Sequence, residues 1–250
     1  MDRRFGLASV GALLLLTGAA SAQHVNLELS LLVDVSGSVD TTEFNIQRQG
    51  YANAFSNPNF FSTNIGAGNS IAVNFIEWSG NGQQSQVVGW TIINDQASAN
   101  AFAAAIMAGA RAFSGQTAVG QAITFGANSI MNNSITSDKQ VIDVSGDGSD
   151  NVNGSAFTAN ARNAALAAGV DQINGLAMTG DEGGLLAWYN ANVKGGAGSF
   201  VIEATNFASF SAAVEEKISL EISQAIPLPG VAGMAGLGLA GIAIKRRRKA

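Results

Sequence analysis

The chain has 250 residues, of which 18 are acidic and 13 basic, one is histidine and none is cysteine. The lack of cysteine excludes disulfides, and the single histidine, His24, argues against a Ser-His-Asp or Cys-His catalytic system and against a histidine-ligated zinc site. Residues 23–225 hold 17 of the acidic but only 6 of the basic residues, a net charge near −11, which argues against nucleic acid as a partner.

The first 22 residues have the pattern of a secretory signal peptide. Arg3 and Arg4 precede an apolar segment that runs from Phe5 to about Gly18, and small residues follow at 20–22. This order of charge, apolar run and cleavage site predicts export of the mature chain. A short buried helix is the alternative interpretation.

Strand and helix patterns alternate along residues 23–225, which are enough for one domain with a sizeable core. The predicted strands are 25–33, 70–78, 86–93, 139–145, 170–178 and 199–204, and the predicted helices are 41–55, 95–111, 118–131, 155–168 and 207–222. A turn-rich segment separates strands 70–78 and 86–93, which predicts an antiparallel pair at an edge. The fold class expected is α/β, with a doubly wound, mainly parallel sheet flanked by helices and one antiparallel edge strand.

A cluster of oxygen-bearing side chains follows the first predicted strand. The strand is rich in Val and Leu, as expected of a strand buried on both faces, and it ends in Asp34, Ser36 and Ser38. Open α/β sheets bind ligands at the carboxyl ends of their strands. Ligation by oxygen atoms alone suits Mg²⁺, Mn²⁺ or Ca²⁺. The residues alone leave a second possibility, that Asp34 and Ser36 cap the helix that follows.

A second acid, Asp147, follows the predicted strand 139–145. Other acids nearby are weaker candidates for ligands. Asp143 alternates with Ser145 within the strand, which favours a structural role, and Glu182 lies on a predicted solvated loop.

Three segments together resemble the von Willebrand factor type A (vWA) domain family. The sequence DVSGS at 34–38 matches its DxSxS motif, Thr117 matches the threonine of its second motif, and Asp147-Gly148 matches the third. The resemblance covers about 27–222 and is strongest to a bacterial secreted subgroup of uncharacterised function (DUF1194-like), which IDVSGDG at 142–148 marks. One departure is Gly146, where many members have threonine.

The resemblance implies a metal ion-dependent adhesion site (MIDAS). The implied ligands of one divalent ion, Mg²⁺ or else Mn²⁺ or Ca²⁺, are Asp34, Ser36, Ser38, Thr117 and Asp147. In this family a free coordination position accepts a carboxylate of a partner protein.

Residues 226–250 resemble the tripartite sorting tails of bacterial PEP-CTERM proteins, in particular the variety with a Val-Pro-Leu-Pro-Ala signature. Here 226–230 is IPLPG, which departs at its first and last residues, and an apolar run to Ile244 and the basic cluster 245–249 follow. The resemblance implies a Gram-negative exporter and an exosortase-like enzyme that processes the tail. Residues 225–244 are long enough to span a bilayer, so inner-membrane association is expected, either transient or as a permanent anchor.

The expected function is an exported, non-enzymatic, metal-dependent protein-binding or adhesion module at the cell surface or in the extracellular matrix. Two alternatives remain from the sequence. One is a metal-assisted hydrolase, since a metal ion with an open position can activate water. The other is a structural matrix protein without a metal function.

Overall fold

Seven strands and six α-helices make up residues 23–226, the part of the chain that the computed structural model describes. The strands are β1 (Gln23–Asp34), β2 (Ile71–Trp78), β3 (Gln84–Ile93), β4 (Ile135–Gly146), β5 (Gln172–Met178), β6 (Gly195–Gly196) and β7 (Val201–Ala204). The helices are α1 (Thr41–Ser56), α2 (Gln96–Ala108), α3 (Val119–Met131), α4 (Gly154–Ala168), α5 (Leu185–Asn192) and α6 (Phe207–Ala225), and Phe61–Ile65 adds a π-helical turn. The predicted signal peptide and the sorting tail beyond Ile226 lie outside these residues.

All strands join one sheet in the order β3-β2-β1-β4-β5, and both β6 and β7 pair with the free edge of β5. The pairs β1–β2, β1–β4, β4–β5 and β5–β7 are parallel, which confirms the predicted doubly wound, mainly parallel sheet. Strand β3 runs antiparallel to β2 at the edge, as expected. The two-residue strand β6 is a second antiparallel partner that the sequence pattern did not predict.

Helices cover both faces of the sheet. On one face α1, α2 and α6 pack on alternate residues of β1, from Leu27 to Val33, and bury Tyr51, Phe55 and Phe210. On the other face α3, α4 and α5 pack on Leu32 and on apolar residues of β4 and β5. Because both faces of β1 are covered, its polar side chains Glu28 and Ser30 are buried as well as its Val and Leu residues, and Glu28 accepts hydrogen bonds from Asn133 and Ser137.

Two differences between the predicted and the observed helices matter for the site. Helix α2 ends at Ala108, so Arg111 lies in the loop that follows. Helix α5 was not predicted, because its eight residues lie between Gly183-Gly184 and Gly195-Gly196 and show no clear amphipathic period. Within residues 23–226 no helix is both long and apolar enough to span a membrane.

The sheet topology creates a crevice at the carboxyl ends of β1 and β4. These two strands are neighbours, yet the chain leaves β1 through α1 toward β2 and leaves β4 through α4 toward β5. The connections therefore diverge on either side of the β1–β4 pair, which is the switch point where doubly wound sheets bind ligands. Val33 pairs with Ser145, so Asp34 and Gly146 end the two strands side by side.

Candidate metal centre

Four of the five predicted ligands form one hydrogen-bonded chain at this crevice. Asp34 accepts a bond from the Ser36 N–H at 2.7 Å, and the Ser36 hydroxyl lies 3.1 Å from that of Ser38. The Ser38 hydroxyl then donates to Asp147 Oδ1 at 2.9 Å. Asp34, Ser36 and Asp147 are buried, whereas Ser38 is exposed, so the cluster opens to solvent on its Ser38 side.

The two carboxylates of the cluster are incompletely satisfied. Asp34 Oδ2 and Asp147 Oδ2 are both buried and have no hydrogen-bond partner among the described residues. Burial raises the pKa of Asp34 well above its usual range, and the nearby charge of Asp147 raises it further. Burial also raises the pKa of Asp147. Two buried acids whose oxygens lack hydrogen bonds destabilise the fold unless a positively charged group or ion binds them.

The fifth predicted ligand, Thr117, lies beside the loop that follows β4. Its backbone is held between the side chain and the N–H of Asn151, with bonds of 2.9 and 3.0 Å. Its Oγ1 lies 3.7 Å from the position that a Cβ would take at Gly148, so the hydroxyl faces the turn after Asp147. In the described residues this hydroxyl makes no direct hydrogen bond to the other four side chains.

The helix-capping alternative for Asp34 and Ser36 is wrong, because Asp40 caps α1. The Asp40 carboxylate accepts from the Glu43 N–H, and Glu43 accepts from the Asp40 N–H, both at 2.8 Å. This reciprocal pair is a complete capping box. Asp34 and Ser36 are therefore free for another role.

The side chain of Tyr189 on α5 packs directly against Gly146. A Cβ atom at position 146 would lie 2.6 Å from the Tyr189 hydroxyl and 2.9 Å from Asp34 Oδ2. The phenol thus occupies the space where a larger residue at 146 would place its side chain. The Tyr189 hydroxyl is fully buried and has no hydrogen-bond partner among the described residues. Burial and the charge of Asp34 raise its pKa well above the usual value.

Arg111 fixes the conformation of the Asp34 loop. One terminal nitrogen of its guanidinium donates to the carbonyl oxygens of Val35, Ser36 and Val39 at 2.7–2.8 Å, and Nε donates to Phe113 O at 2.8 Å. These bonds orient the loop carbonyls toward Arg111. This role was not predicted, because the sequence pattern places Arg111 at the end of a helix.

The remaining acids near the crevice have structural partners. Glu182, which we expected to be solvated, is half-buried and accepts from the Ser149 N–H at 2.8 Å. Asp150 accepts bonds from the N–H groups of Gly120, Val152, Asn153 and Gly154 and from the hydroxyl of Thr158. Both acids hold the loop after β4 in place.

The cluster fits a hard divalent cation. It offers two carboxylates and the hydroxyls of Ser36 and Ser38, and the free Oδ2 atoms of Asp34 and Asp147 are orphaned acceptors of the kind that such an ion completes. Within residues 23–226 no group of three or more His, Cys, Asp or Glu side chains that could hold a metal ion is present. With only two acids in the cluster, a bound ion would keep part of its charge for an outside ligand.

Residues 24–226 match a protein family described as "Protein of unknown function (DUF1194)". No curated protein matches the sequence significantly.

Solved structures share the fold. A von Willebrand factor type A protein from Catenulispora acidiphila is 18% identical, with a TM-score of 0.56 over 80% of this chain and 43% of that one. Proximal thread matrix protein 1 from the mussel byssus, with a zinc-occupied MIDAS motif, is 14% identical, with a TM-score of 0.54 over 81% and 46%. The pilus adhesin SpaC from Lactobacillus rhamnosus GG is 14% identical, with a TM-score of 0.60 over 82% and 31%.

This chain spans less than half the length of each of these three proteins, and at such identities the likeness concerns the fold alone. The family match covers about four fifths of the chain. The protein therefore belongs to the DUF1194 family and has the fold of a von Willebrand factor type A domain.

Proposed function

We propose that this protein is an exported, non-enzymatic, metal-dependent binding module that recognises an acidic side chain of a partner protein. The proposed ion is Mg²⁺, with Mn²⁺ or Ca²⁺ as substitutes. Its proposed ligands are Asp34, Ser36, Ser38, Thr117 and Asp147. The observation that carries the proposal is the pair of buried, unpartnered carboxylate oxygens of Asp34 and Asp147 beside the hydroxyls of Ser36 and Ser38.

Acidic residues around the crevice support a contact with a carboxylate that is mediated by a metal ion. Glu43 and Asp181 both lie close enough to raise the pKa of Asp147, and both line a groove of about 400 Å³ beside the crevice. These charges would repel an acidic ligand that approached alone. A bound cation reverses the local sign and supplies the attraction that the side chains lack.

Within the site each residue has a separate part. Asp34 and Asp147 supply negative charge, the hydroxyls of Ser36, Ser38 and Thr117 supply neutral oxygens, and Arg111 holds the loop conformation. When bound, the ion supplies electrostatic attraction for an anionic oxygen. No histidine assists it, because His24 lies at the opposite end of β1, where it bonds to Thr136 and Asp138.

Export and a surface location are supported by the signal-peptide pattern and by the fold neighbours. These neighbours include a mussel byssus matrix protein, a pilus adhesin and a minor pilin from Streptococcus sanguinis. A module that binds protein through a metal ion is consistent with matrix or adhesive roles. Tail processing by an exosortase-like enzyme and inner-membrane association through 225–244 remain part of the same proposal.

Thermal melting of the full chain tests the metal site. Mg²⁺ or Mn²⁺ should raise the melting temperature of the wild type above its value in chelator, because a ligand that binds only the folded state stabilises it. Asp34→Ala should abolish this difference. The matched control is Asp138→Asn, which removes an exposed acid at the opposite end of the sheet and should leave the ion response unchanged.

A pull-down from the native exoprotein fraction tests the binding role. The partner should be retained with Mg²⁺, released by chelator and lost with Asp34→Ala. A screen of generic phosphoesters addresses the alternative enzyme function. Metal-dependent turnover that Asp147→Ala abolishes would contradict the non-enzymatic assignment.

A further inference from the structure

A second group of buried charges lies away from the metal centre, between the sheet and the last helix. It consists of Asp143 on β4 and of Lys217 and Glu221 on α6, all at most 1% exposed. Lys217 Nζ contacts Asp143 Oδ1 directly and lies 3.5 Å from Glu221 Oε1. The expected structural role of Asp143 is thus a contact with α6.

The group lies within the hydrophobic core on the α6 side of the sheet, with Asn174 as a polar neighbour. Asp143 pairs across the sheet with Leu31 of β1 and with Asn174 of β5. Val214, Ile218 and Ile222 of α6 pack into the same core. In the described residues no hydrogen-bond donor other than Lys217 reaches either carboxylate oxygen of Asp143.

If all three side chains are ionised, the group carries a net negative charge. It would place two negative charges and one positive charge in the core, and Asn174 provides one further donor, to Glu221 Oε1 at 2.9 Å. Buried ions of this kind carry a large desolvation cost. Burial lowers the pKa of Lys217 to about 8 and raises the pKa of Glu221. Both changes oppose charge in the core. A proton that moves from Lys217 to the Asp143 carboxylate in contact with it removes one positive and one negative charge, and leaves Glu221 as the anion that Asn174 binds.

We propose that Lys217 and Asp143 are joined by an intramolecular amide bond, whose formation Glu221 assists. A neutral amine in contact with a carboxylic acid, shielded from water, has the two reactants held together that amide formation needs. Glu221 lies within reach of the amine and can pass a proton between the reacting groups.

The reaction is balanced within the chain. Lys217 Nζ attacks Cγ of the protonated Asp143 carboxyl, and Glu221 accepts a proton from the nitrogen. Glu221 then returns that proton to the departing hydroxyl, which leaves as water when the C–O bond breaks. One amide and one water replace one amine and one acid, so no oxidant or other reactant is needed.

Such a bond would give this cysteine-free chain a covalent link. It would close a loop from residue 143 to residue 217 and tie α6, the helix that precedes the predicted sorting tail, to a central strand. A cross-link over a long loop stabilises a fold mainly by restricting the unfolded chain. The amide would also remove two of the three charges from the core. The proposal does not depend on the metal centre.

Peptide mapping of the folded, full-length chain tests the bond directly. Trypsin should release residues 140–162 attached to a peptide that starts at residue 195 and is not cut after Lys217. The mass of this species should equal that of its two parts less one water. The linear peptides 140–162 and 195–217 should be absent or nearly so.

Two glutamate variants test the assisting role. Glu221→Gln keeps the shape of the side chain but cannot carry the proton, and it should lose the cross-linked species and release both linear peptides. Glu216→Gln, which changes an exposed neighbour on the same helix, should retain the cross-link. Full recovery of both linear peptides from folded wild-type protein would overturn the proposal. This result can be interpreted without any variant. Retention of the cross-link in Glu221→Gln would overturn the role of Glu221.

Discussion

The hydroxyl of Tyr189 lies 2.6 Å from the position that a Cβ atom would take at Gly146, so these two residues share one space beside Asp34. A side chain larger than glycine at 146 and a tyrosine at 189 therefore exclude each other. The relationship explains why this chain can lack a threonine before Asp147: a phenol from α5 reaches the same place from another element.

Gly146→Ala should lower the free energy of unfolding by about 1–3 kcal/mol, because the added methyl overlaps the phenol in a fully packed core. Tyr189→Phe should recover part of this loss, since the contact with Asp34 Oδ2 at 2.9 Å remains. Denaturant unfolding of the two single variants and the double variant measures the coupling. Additive losses would show that the two side chains do not compete for space.

Tyr189→Phe alone should alter metal affinity more than stability. The hydroxyl has no hydrogen-bond partner, so its removal leaves the fold nearly as stable. Because the hydroxyl lies beside the proposed ligand Asp34, we expect its removal to lower metal affinity by about 10-fold. Mutations of residues that contact metal ligands have effects of this size or larger. Calorimetric Mg²⁺ titrations of the variant and the wild type provide the measurement, and equal affinities would contradict the prediction.

Arg111→Met should weaken ion binding and lower the free energy of unfolding by about 1–3 kcal/mol, because three loop carbonyls lose their donor. Arg162→Met is the matched control. Arg162 donates to the carbonyls of Ala191 and Lys194, so its loss should lower stability without changing the Mg²⁺ response. An unchanged Mg²⁺ response in Arg111→Met would show that the loop keeps its shape unaided.

The metal-free domain should become more stable as the pH falls from neutral toward the ordinary pKa of an aspartate, about 4, since the raised pKa values of Asp34 and Asp147 make the folded state bind protons more tightly than the unfolded state. In Mg²⁺ the trend should reverse, because protons compete with the ion for the same oxygens. Melting temperatures across this range, in chelator and in Mg²⁺, measure both trends. Asp34→Asn should flatten both, and parallel curves with and without Mg²⁺ would argue against a shared site.

Much of the fold follows from local patterns in the sequence. Segments rich in Val and Leu, such as Leu27–Val33, and the alternation of strands with helices are enough to predict a doubly wound sheet. The loop cluster of Asp34, Ser36 and Ser38 and the later Asp147 are visible because each follows a strand. Their proximity depends on β1 and β4 being neighbours, which the chain order allows but does not require.

Other parts of the site could not be found this way, because their partners are distant in sequence. Tyr189 lies on a short helix between glycine pairs, and its contact with Gly146 spans two elements without any local signal. Arg111 acts through backbone carbonyls, which carry no sequence pattern. Lys217 looks like an ordinary helix lysine until α6 is packed against Asp143.

Calorimetric titration of Mg²⁺ into the metal-free full chain, wild type and Asp34→Asn, tests the central claim most directly. We expect saturable binding at one site in the wild type and none in Asp34→Asn, whose metal-free melting temperature should be no lower than that of the wild type because a buried like-charge contact is removed. No binding to the wild type, or equal binding to Asp34→Asn, would contradict a metal site built on Asp34.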